Sequence, residues 1–479
     1  MKYSEKTKYE ELSVAVSAAL NLILNQHLLR KDEQEDVVFA LYKPSYGQLR
    51  FTAIIHQVIL PVDGDRDVHG NVEIHSQYFK RICKLAAEKK SGIVLLHSHL
   101  GPGWQGMSID DFATERSYAA NAESLTDLPF VGLTLGTDGA WSARFWEEQN
   151  GWYEKRWAAS VRVVGKELKV TYHDGLRPKP AFREIYKRTF TVWGPENHAQ
   201  LARLRIGIIG LGSVGSIVAE TLARIGLERF VLIDFDEVQL HNLDRLLGAY
   251  QPDVGMAKVL VAQRQIQKSA TAEKVQIHTV NGGITEESGY RNALDCDVLF
   301  SCVDRPWPRQ IQNHIAYSHL IPVIDGGIQV RIDPETEAFI GADWQLQTIG
   351  PNRPCLQCLE AFSPADVATE QAGLLEDPSY LAGLPVDHAF KRNENIFPFS
   401  ANLASLEVFQ LIEMVTGIAG VNYFGTQRYS YNQGYIRLND ERHCHANCYY
   451  QGNLSLADTV IPPSIGLDHS ADKARKRQN

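Results

Sequence analysis

The 479-residue sequence has no surplus of positive charge: 48 Lys and Arg stand against 57 Asp and Glu, a formal net charge of −9. General binders of nucleic acid or anionic membranes need a basic field to gather phosphate, so this balance excludes that class and leaves room only for a local basic pocket. No apolar run approaches the roughly 20 residues of a membrane-spanning helix. The opening MKYSEKTKYEELSV is too charged for a signal peptide. A cytoplasmic protein is expected, acting on neither membrane nor nucleic acid. Internal repeats are absent. Cysteine is scarce, with seven residues, and four of these fall in two close pairs, Cys355/Cys358 and Cys444/Cys448. In an intracellular chain such pairs indicate metal before disulfide. Cys83, Cys296 and Cys302 sit among apolar neighbours and read as small buried hydrophobes.

What is present suits two domains, because the chain is longer than one hydrophobic core usually organises. Residues 12–29 carry an apolar stripe at helical spacing, and EDVVFALYKP and QLRFTAIIHQVILP read as strands. A helix around Ser76–Lys89 precedes the apolar run Gly92–Leu96, and alternating segments continue through PFVGLTLGTD and WSARFWEE. Residues 1–172 thus form an α+β domain, and the polar stretch HDGLRPKPAF opens a linker at 173–187. From Arg205 short continuous apolar runs alternate with helical stretches: RIGIIG, FVLIDFD, VQIHTV, CDVLFSCVD and IPVIDGG. That pattern predicts parallel strands covered on both faces, a doubly wound, Rossmann-like α/β domain over residues 188–455. Residues 456–479 read as a tail, whose last dozen residues, ending in KARKRQN, are expected to be solvated and disordered.

The segment Gly210-Leu211-Gly212-Ser213-Val214-Gly215 follows RIGIIG directly and opens a helix. Gly210, Gly212 and Gly215 permit a tight turn and close backbone approach, while the helix N-terminus offers unpaired N–H groups to phosphate. Asp234 ends the second strand about 20 residues later, where an acid holds ribose hydroxyls. Dehydrogenases use the same loop, so on the loop alone an NAD-dependent enzyme stays open. Asn242, Arg245 and Lys258, in HNLDR and DVGMAK, shift the balance, together with Asp304 closing VLFSCVD. Hydride transfer has no need of two cations and an acid around the phosphates. Nucleotidyl transfer does, with Arg and Lys neutralising the triphosphate of ATP and Asp holding Mg²⁺.

Over residues 188–440 the ordered set GLGSVG, IDFDEVQLHNLDR, GMAK, SCVD, PCLQC and FSANLASLEVFQLIEM resembles the ThiF/MoeB/ubiquitin-activating (E1-like) family. The resemblance implies nucleotide contacts at Gly212, Asp234, Asn242, Arg245, Lys258 and Asp304. It further implies a homodimer in which Arg188, in YKRTFTVWG, reaches the nucleotide across the interface. Ser213 stands where many members have a third glycine. Residues 359–443, which hold the segment where many E1 proteins place a thioester cysteine, contain no cysteine. The implied enzyme therefore stops at the acyl-adenylate or passes it to a separate, E2-like acceptor; a nucleophile among the paired cysteines is the alternative. Those pairs, C-x2-C and C-x3-C, supply four thiolates for a tetrahedral structural Zn²⁺, with His443 and His445 available as substitute ligands.

In the first domain the run IVLL leads into His97-Ser98-His99, and Ser108 and Asp111 follow. Two imidazoles on alternate positions at a strand end face the same way, and an aspartate on the next helix completes a three-ligand set. The fourth position is left for water, the arrangement of a hydrolytic zinc centre. Over roughly residues 10–150 this set resembles the JAB/MPN (JAMM) metalloprotease family, which cleaves ubiquitin-like proteins from conjugates or precursors. The resemblance implies zinc on His97, His99 and Asp111, oxyanion stabilisation by Ser108, and a general base at Glu35, with Glu33 the alternative. Leu100 departs from the proline usual in that family, and the interval from His99 to Ser108 is one residue longer.

Together the two resemblances imply one chain that adenylates the C-terminal glycine of a ubiquitin-like protein and also trims that protein or its conjugates. Such a pairing suggests a bacterial-type modification system, as in antiviral defence. Activation of a sulfur-carrier protein for cofactor or cysteine biosynthesis, and a non-catalytic ubiquitin-like-binding module, are the alternatives.

Overall fold

The computed structural model describes residues 9–69, 71–333, 335–384, 395–420, 425–439, 442–460, 462, 465–466 and 468–478. The chain forms two compact units. One comprises Met1–Lys179, Ser318–Leu320 and Asn453–Ile461, the other Pro180–Tyr317, Ile321–Gly452 and Pro462–Asn479. Among the described residues no helix is long and apolar enough to cross a membrane.

The first unit runs β1 (Glu11–Ser17), α1 (Ala18–Leu28), β2 (Val37–Tyr46), β3 (Arg50–Ile59), β4 (Arg66–His69), β5 (Asn71–Ile74), α2 (Ser76–Lys89) and β6 (Gly92–Ser98). It continues with α3 (Ile109–Thr126), β7 (Phe130–Leu135), β8 (Trp141–Gln149), β9 (Trp152–Trp157), β10 (Ser160–Val164) and β11 (Leu168–Tyr172). Nine strands form one sheet in the order β11-β10-β1-β3-β2-β6-β7-β8-β9, and β4 pairs with β5 apart from it. Side chains alternate faces along a strand. Val38, Ala40 and Tyr42 of β2 accordingly pack with Leu24 and Leu28 of α1. Val37, Phe39 and Leu41 pack with Tyr78 and Ile82 of α2 and Ala119 of α3. The helix expected over residues 12–29 is corrected at its start, because residues 11–17 are strand β1. Parallel pairing with both β3 and β10 buries Val14 and Val16 inside the sheet, a setting that favours β-branched residues. Ser17 then caps α1, its hydroxyl accepting from the Leu20 N–H. Late in the chain, Ala457 is fully buried in this unit, and the Tyr46 N–H donates to the Asp458 carboxylate at 2.7 Å.

The second unit opens with α4 (Lys187–Trp193) and α5 (Pro195–Ala202), then alternates β12 (Arg205–Ile209), α6 (Ser213–Arg224), β13 (Arg229–Ile233), α7 (Lys258–Ser269) and β14 (Gln276–Val280). There follow α8 (Glu287–Ala293), β15 (Val298–Ser301), α9 (Pro306–Ser318), β16 (Val323–Ile332), β17 (Phe339–Ile349), α10 (Pro364–Gln371) and α11 (Pro378–Gly383). The last elements are α12 (Phe397–Thr416), β18 (Thr426–Ser430), β19 (Tyr435–Asn439), α13 (Tyr449–Gly452) and α14 (His469–Gln478). The sheet order is β14-β13-β12-β15-β16-β17-β18-β19, parallel from β14 to β16 and antiparallel beyond. Chain direction reverses its progress across the sheet between β12 and β15. Open α/β sheets bind ligands in the crevice at such a point.

The tail expected to be disordered is in part a helix, which corrects that reading. Asp468 caps α14, its carboxylate accepting from the Ser470 and Ala471 N–H groups at 2.9 and 3.2 Å. The Thr285 hydroxyl holds the same carboxylate at 2.7 Å, and Ala471 is fully buried. A cap and one small anchor leave no amphipathic stripe for a sequence reading to find.

Candidate functional site

In the second unit the phosphate-type loop joins β12 to α6, and its three glycines answer different needs. Gly210 has φ +87°, and a Cβ there would lie 2.6 Å from the Cys302 carbonyl oxygen. A Cβ on Gly215 would lie 2.0 Å from the Gly210 carbonyl oxygen, so this glycine lets α6 pack onto its own loop. Gly212, the N-cap of α6, has nothing within 4 Å of such an atom and leaves the loop open to a ligand. The Asn395 amide donates to the Ser213 hydroxyl at 3.0 Å.

This loop borders a cavity of about 840 Å³ whose lining includes Gly210, Gly212, Asp234, Asn242, Arg245, Lys258 and Asp304. Asp234 is nearly buried at the end of β13, accepting from the Leu211 N–H at 2.6 Å and the Asp236 N–H at 2.7 Å. Burial raises its pKa, opposed by the nearby Lys258 ammonium. Lys258 starts α7 and donates to Asp236 at 2.8 Å. Burial works against its charge, but Asp234 and Asp236 more than offset that and hold the pKa above the ordinary lysine value. Arg245 lies in the turn after residues 240–242, donating to the His241 carbonyl at 2.7 Å and to Asp244 at 2.9 Å. Asn242 closes that turn by accepting from the Gln239 N–H at 3.0 Å. Asp304 follows β15 by three residues and is exposed to the cavity.

Two expected residues do not line the cavity. Gly215 acts through packing, as above. Arg188 is exposed on α4. Several lining residues escaped the sequence reading: Arg305, Arg309, Glu370, Glu376 and Lys473. Arg309 pairs with the buried Asp325 at 3.1 Å and donates to the Gly326 carbonyl at 3.1 Å. Arg305 pairs with Glu376 at 3.0 Å. Both arginines follow Asp304 in DRPWPR, so the acid at a strand end with two cations opening the next helix was the available signal. Glu370 accepts from the Trp307 N–H at 2.8 Å, and burial pushes its carboxyl up to about 7. Cys302 also borders the cavity, but burial, with help from the Glu407 and Asp325 carboxylates, drives its thiol well above the ordinary range. A thiol so held has almost no thiolate at neutral pH and is a poor nucleophile.

The two cysteine pairs converge. The four Sγ atoms of Cys355, Cys358, Cys444 and Cys448 lie within 4.8 Å of one another, with Cys355 and Cys448 3.7 Å apart. Sulfur atoms on a zinc tetrahedron with 2.3 Å bonds are about 3.8 Å apart, so the donor set fits that ion. Backbone N–H groups of Cys355 and Cys358 donate to the Cys444 and Cys355 sulfurs at 3.2 and 3.3 Å. A hydrogen bond from the Cys355 thiol pulls Cys444 down to about 5. His443 and His445 are exposed and outside this group.

In the first unit, β6 delivers the histidines and α3 the aspartate. His97 Nε2 lies 3.3 Å from one Asp111 oxygen and His99 Nε2 3.2 Å from the other, with the two imidazole nitrogens 3.2 Å apart. All three donors point at one place. Ser108 is the N-cap of α3: its hydroxyl accepts from the Asp111 N–H at 3.0 Å, and its own N–H donates to Asp111 at 2.8 Å. Burial opposes the Asp111 charge, but hydrogen bonds from His97 and His99 hold its carboxyl far below the usual range. The antiparallel ladder pairs Val37 with His97, and the Ser98 N–H donates to the Asp36 carbonyl at 3.1 Å. Glu35, two residues before β2, lies near enough to His99 for its charge to help raise the His99 pKa, after the larger effect of Asp111. Glu33 is exposed in a left-handed backbone conformation with φ 57°.

A buried layer behind these histidines was not visible in the sequence. Thr134 Oγ1 lies 3.3 Å from His97 Nε2, and Arg144 donates to Thr134 at 2.5 Å. Arg144 grips Glu115 with both ends of its guanidinium, and Trp146 Nε1 donates to the same carboxylate at 2.7 Å. Gly132 makes room, since a Cβ there would sit 2.1 Å from a Glu115 oxygen.

The profile of the ThiF family matches residues 186–449. Among curated proteins, ubiquitin-like modifier-activating enzyme 5 from Oryza sativa subsp. japonica is 26% identical over 288 residues, covering 55% of this chain and 65% of the relative. tRNA threonylcarbamoyladenosine dehydratase 2 from Saccharomyces cerevisiae is 28% identical over 213 residues, covering 44% of this chain and 46% of the relative. The chain thus spans less than two thirds of the length of these relatives. A crystal structure of E. coli MccB with ATP aligns at a TM-score of 0.43 and 16% identity, over 56% of this chain and 74% of that one.

Proposed function

The chain belongs to the ThiF family, and from that premise we propose that its cavity binds MgATP and adenylates the C-terminal carboxylate of a small ubiquitin-like or sulfur-carrier protein ending in glycine. The supporting observation is the convergence of Gly212, Asp234, Asn242, Arg245, Lys258 and Asp304 on one cavity at the crevice between β12 and β15. A carboxylate oxygen of the carrier attacks the α-phosphorus, the bond to the β-phosphate bridging oxygen breaks, and pyrophosphate leaves an acyl-adenylate. Asp234 accepts the ribose hydroxyls, and Arg245 and Lys258 meet the charge that builds on the phosphates. Asp304 is the ligand offered to Mg²⁺, which when bound screens the triphosphate. In a homodimer Arg188 reaches the partner's nucleotide. The raised thiol of Cys302, the convergence of the four paired cysteines on one another, and the lack of cysteine in residues 359–443 favour a reaction that ends at the adenylate or continues on a separate acceptor protein. ATP–pyrophosphate exchange tests this reading, with candidate carriers offered with and without the terminal glycine to the wild type and to Asp304→Ala. Exchange that requires both the glycine and Asp304 supports it, and absence of exchange with MgATP bound overturns it.

For the first unit we propose a zinc-dependent peptidase centre that processes the same class of carrier. The convergence of His97, His99 and Asp111 supports this reading, with ligand atoms all within 4.8 Å. Zinc held by these three would supply a Lewis acid beside the scissile carbonyl. Glu35 takes a proton from the attacking water and returns it to the leaving amine, a role its charge effect on His99 supports. Ser108 fixes the Asp111 carboxylate. Cleavage of a carrier extended beyond its terminal glycine, lost in Glu35→Gln with metal retained, tests the assignment. Retained cleavage in that variant overturns the role of Glu35.

A further inference from the structure

The cavity's cations are mostly committed to protein acids. Lys258 pairs with Asp236, Arg245 with Asp244, Arg305 with Glu376 and Arg309 with Asp325. Asp304 and Asp468 add further negative charge to the same walls. A nucleoside triphosphate entering such a site brings several negative charges, and some cation must turn from a protein acid to a phosphate oxygen. Among the described lysines and arginines that line the cavity, Lys473 is the most loosely held. Its ammonium sits 3.9 Å from Glu376, at the outer limit of an ion pair, and its side chain is 51% exposed. A half-exposed pair at that distance contributes little, so it exchanges partners at small cost.

The carrier of Lys473 is itself built into the cavity wall. Asp468 is tied to Thr285, in the loop after β14, and Ser470 donates to Glu376 at 3.0 Å. The helix α14 therefore bridges the β14 side of the crevice to the wall that bears Arg305 and Glu370. Asp468, Ser470, Lys473 and Ala474 all face the cavity. We propose that Lys473 is a polyphosphate-binding residue that leaves Glu376 for the phosphates of ATP, making α14 a nucleotide-binding element of the chain. The inference rests on the adenylation reading and adds a residue outside the matched segment 186–449.

Titration calorimetry of the full chain with MgATP tests it, using Lys473→Ala, Lys473→Arg and Glu376→Gln. Lys473→Ala weakens MgATP binding by about tenfold, the scale of one charge-assisted contact. Lys473→Arg stays within about twofold of the wild type, because the charge is kept. Glu376→Gln still accepts from Ser470 and Arg305 but releases the lysine, so it binds MgATP at least as tightly as the wild type. A merely structural pair gives another pattern, in which Glu376→Gln weakens binding as much as Lys473→Ala. That pattern, or an unchanged affinity in Lys473→Ala, overturns the inference while leaving the adenylation reading intact. A wild type that binds no MgATP removes both.

Discussion

In the first unit, three ligand atoms from residues 97, 99 and 111 are already gathered within 4.8 Å, held by a strand end and a capped helix. In the second unit, groups drawn from residues 210 to 474 surround the cavity, and its cations are occupied by protein acids. One site has its donor groups gathered by folding alone; the other has its charges balanced internally, by ion pairs between its cations and protein acids. The first arrangement gives precision, because a metal tolerates little error in donor position. The second keeps a crowded set of charges stable without ligand. The cost is that binding must break ion pairs, and those half-exposed in the wall break most easily.

The largest expected effect separates the sites by function. Asp304→Ala lowers ATP–pyrophosphate exchange by about 10²–10³-fold, the loss usual for one electrostatic contact in a transition state. Metal content at the histidines is unchanged in that variant. Exchange at the wild-type rate would break the comparison at once. Next in size is the metal inventory. Elemental analysis finds two zinc ions per chain in the wild type and one in either His97→Ala or Cys448→Ala, and loss of both ions from one variant would show the sites to be dependent on each other. A smaller effect tests how far folding alone builds the first site. Ser108→Ala removes the cap of α3 and costs about 1 kcal/mol in denaturant unfolding. Zinc affinity falls by only about two- to threefold with it, because the hydroxyl holds the Asp111 backbone N–H while the Ser108 N–H that holds the Asp111 carboxylate is kept.

The smallest effect sharpens the view of the second site. Glu370 holds its proton up to about 7. As pH rises through that value the cavity gains a negative charge, so MgATP binding weakens by a few-fold between about pH 6 and pH 8. Glu370→Gln has no such step and keeps the low-pH affinity throughout. A wild-type profile as flat as that of the variant would place the titration elsewhere.

Legibility followed the same division. Residues near one another in sequence were readable: the glycine loop, the His-x-His with its following aspartate, and the helix Ser76–Lys89 each carry a local pattern. The expected residues that line the cavity were readable because each stands at the end of an apolar strand run or in a motif beside it. Residues that matter only through tertiary approach were not. Glu115, Arg144 and Thr134 meet behind His97 only because β7, β8 and α3 pack together. Lys473 lies among charged residues that look solvated until Asp468 and Ala471 anchor the helix. β1 was misread because its buried valines precede a run of alanine and leucine that does form a helix. Ser108 was read for oxyanion chemistry, and its geometry adds a capping role that the spacing Ser-x-x-Asp already contained.

The bond between the Tyr46 N–H and Asp458 joins residues 412 apart in sequence. During synthesis at about 5–20 residues per second, strand β2 leaves the ribosome roughly 20–80 s before the segment that covers it. For that interval the nascent first unit lacks part of its surface while residues 180–317 and 321–452 of the second unit are being made. Completion of the first unit therefore waits on residues 453–461, and a product stalled before residue 453 leaves the end of β2 open to chaperones or to a neighbouring nascent chain.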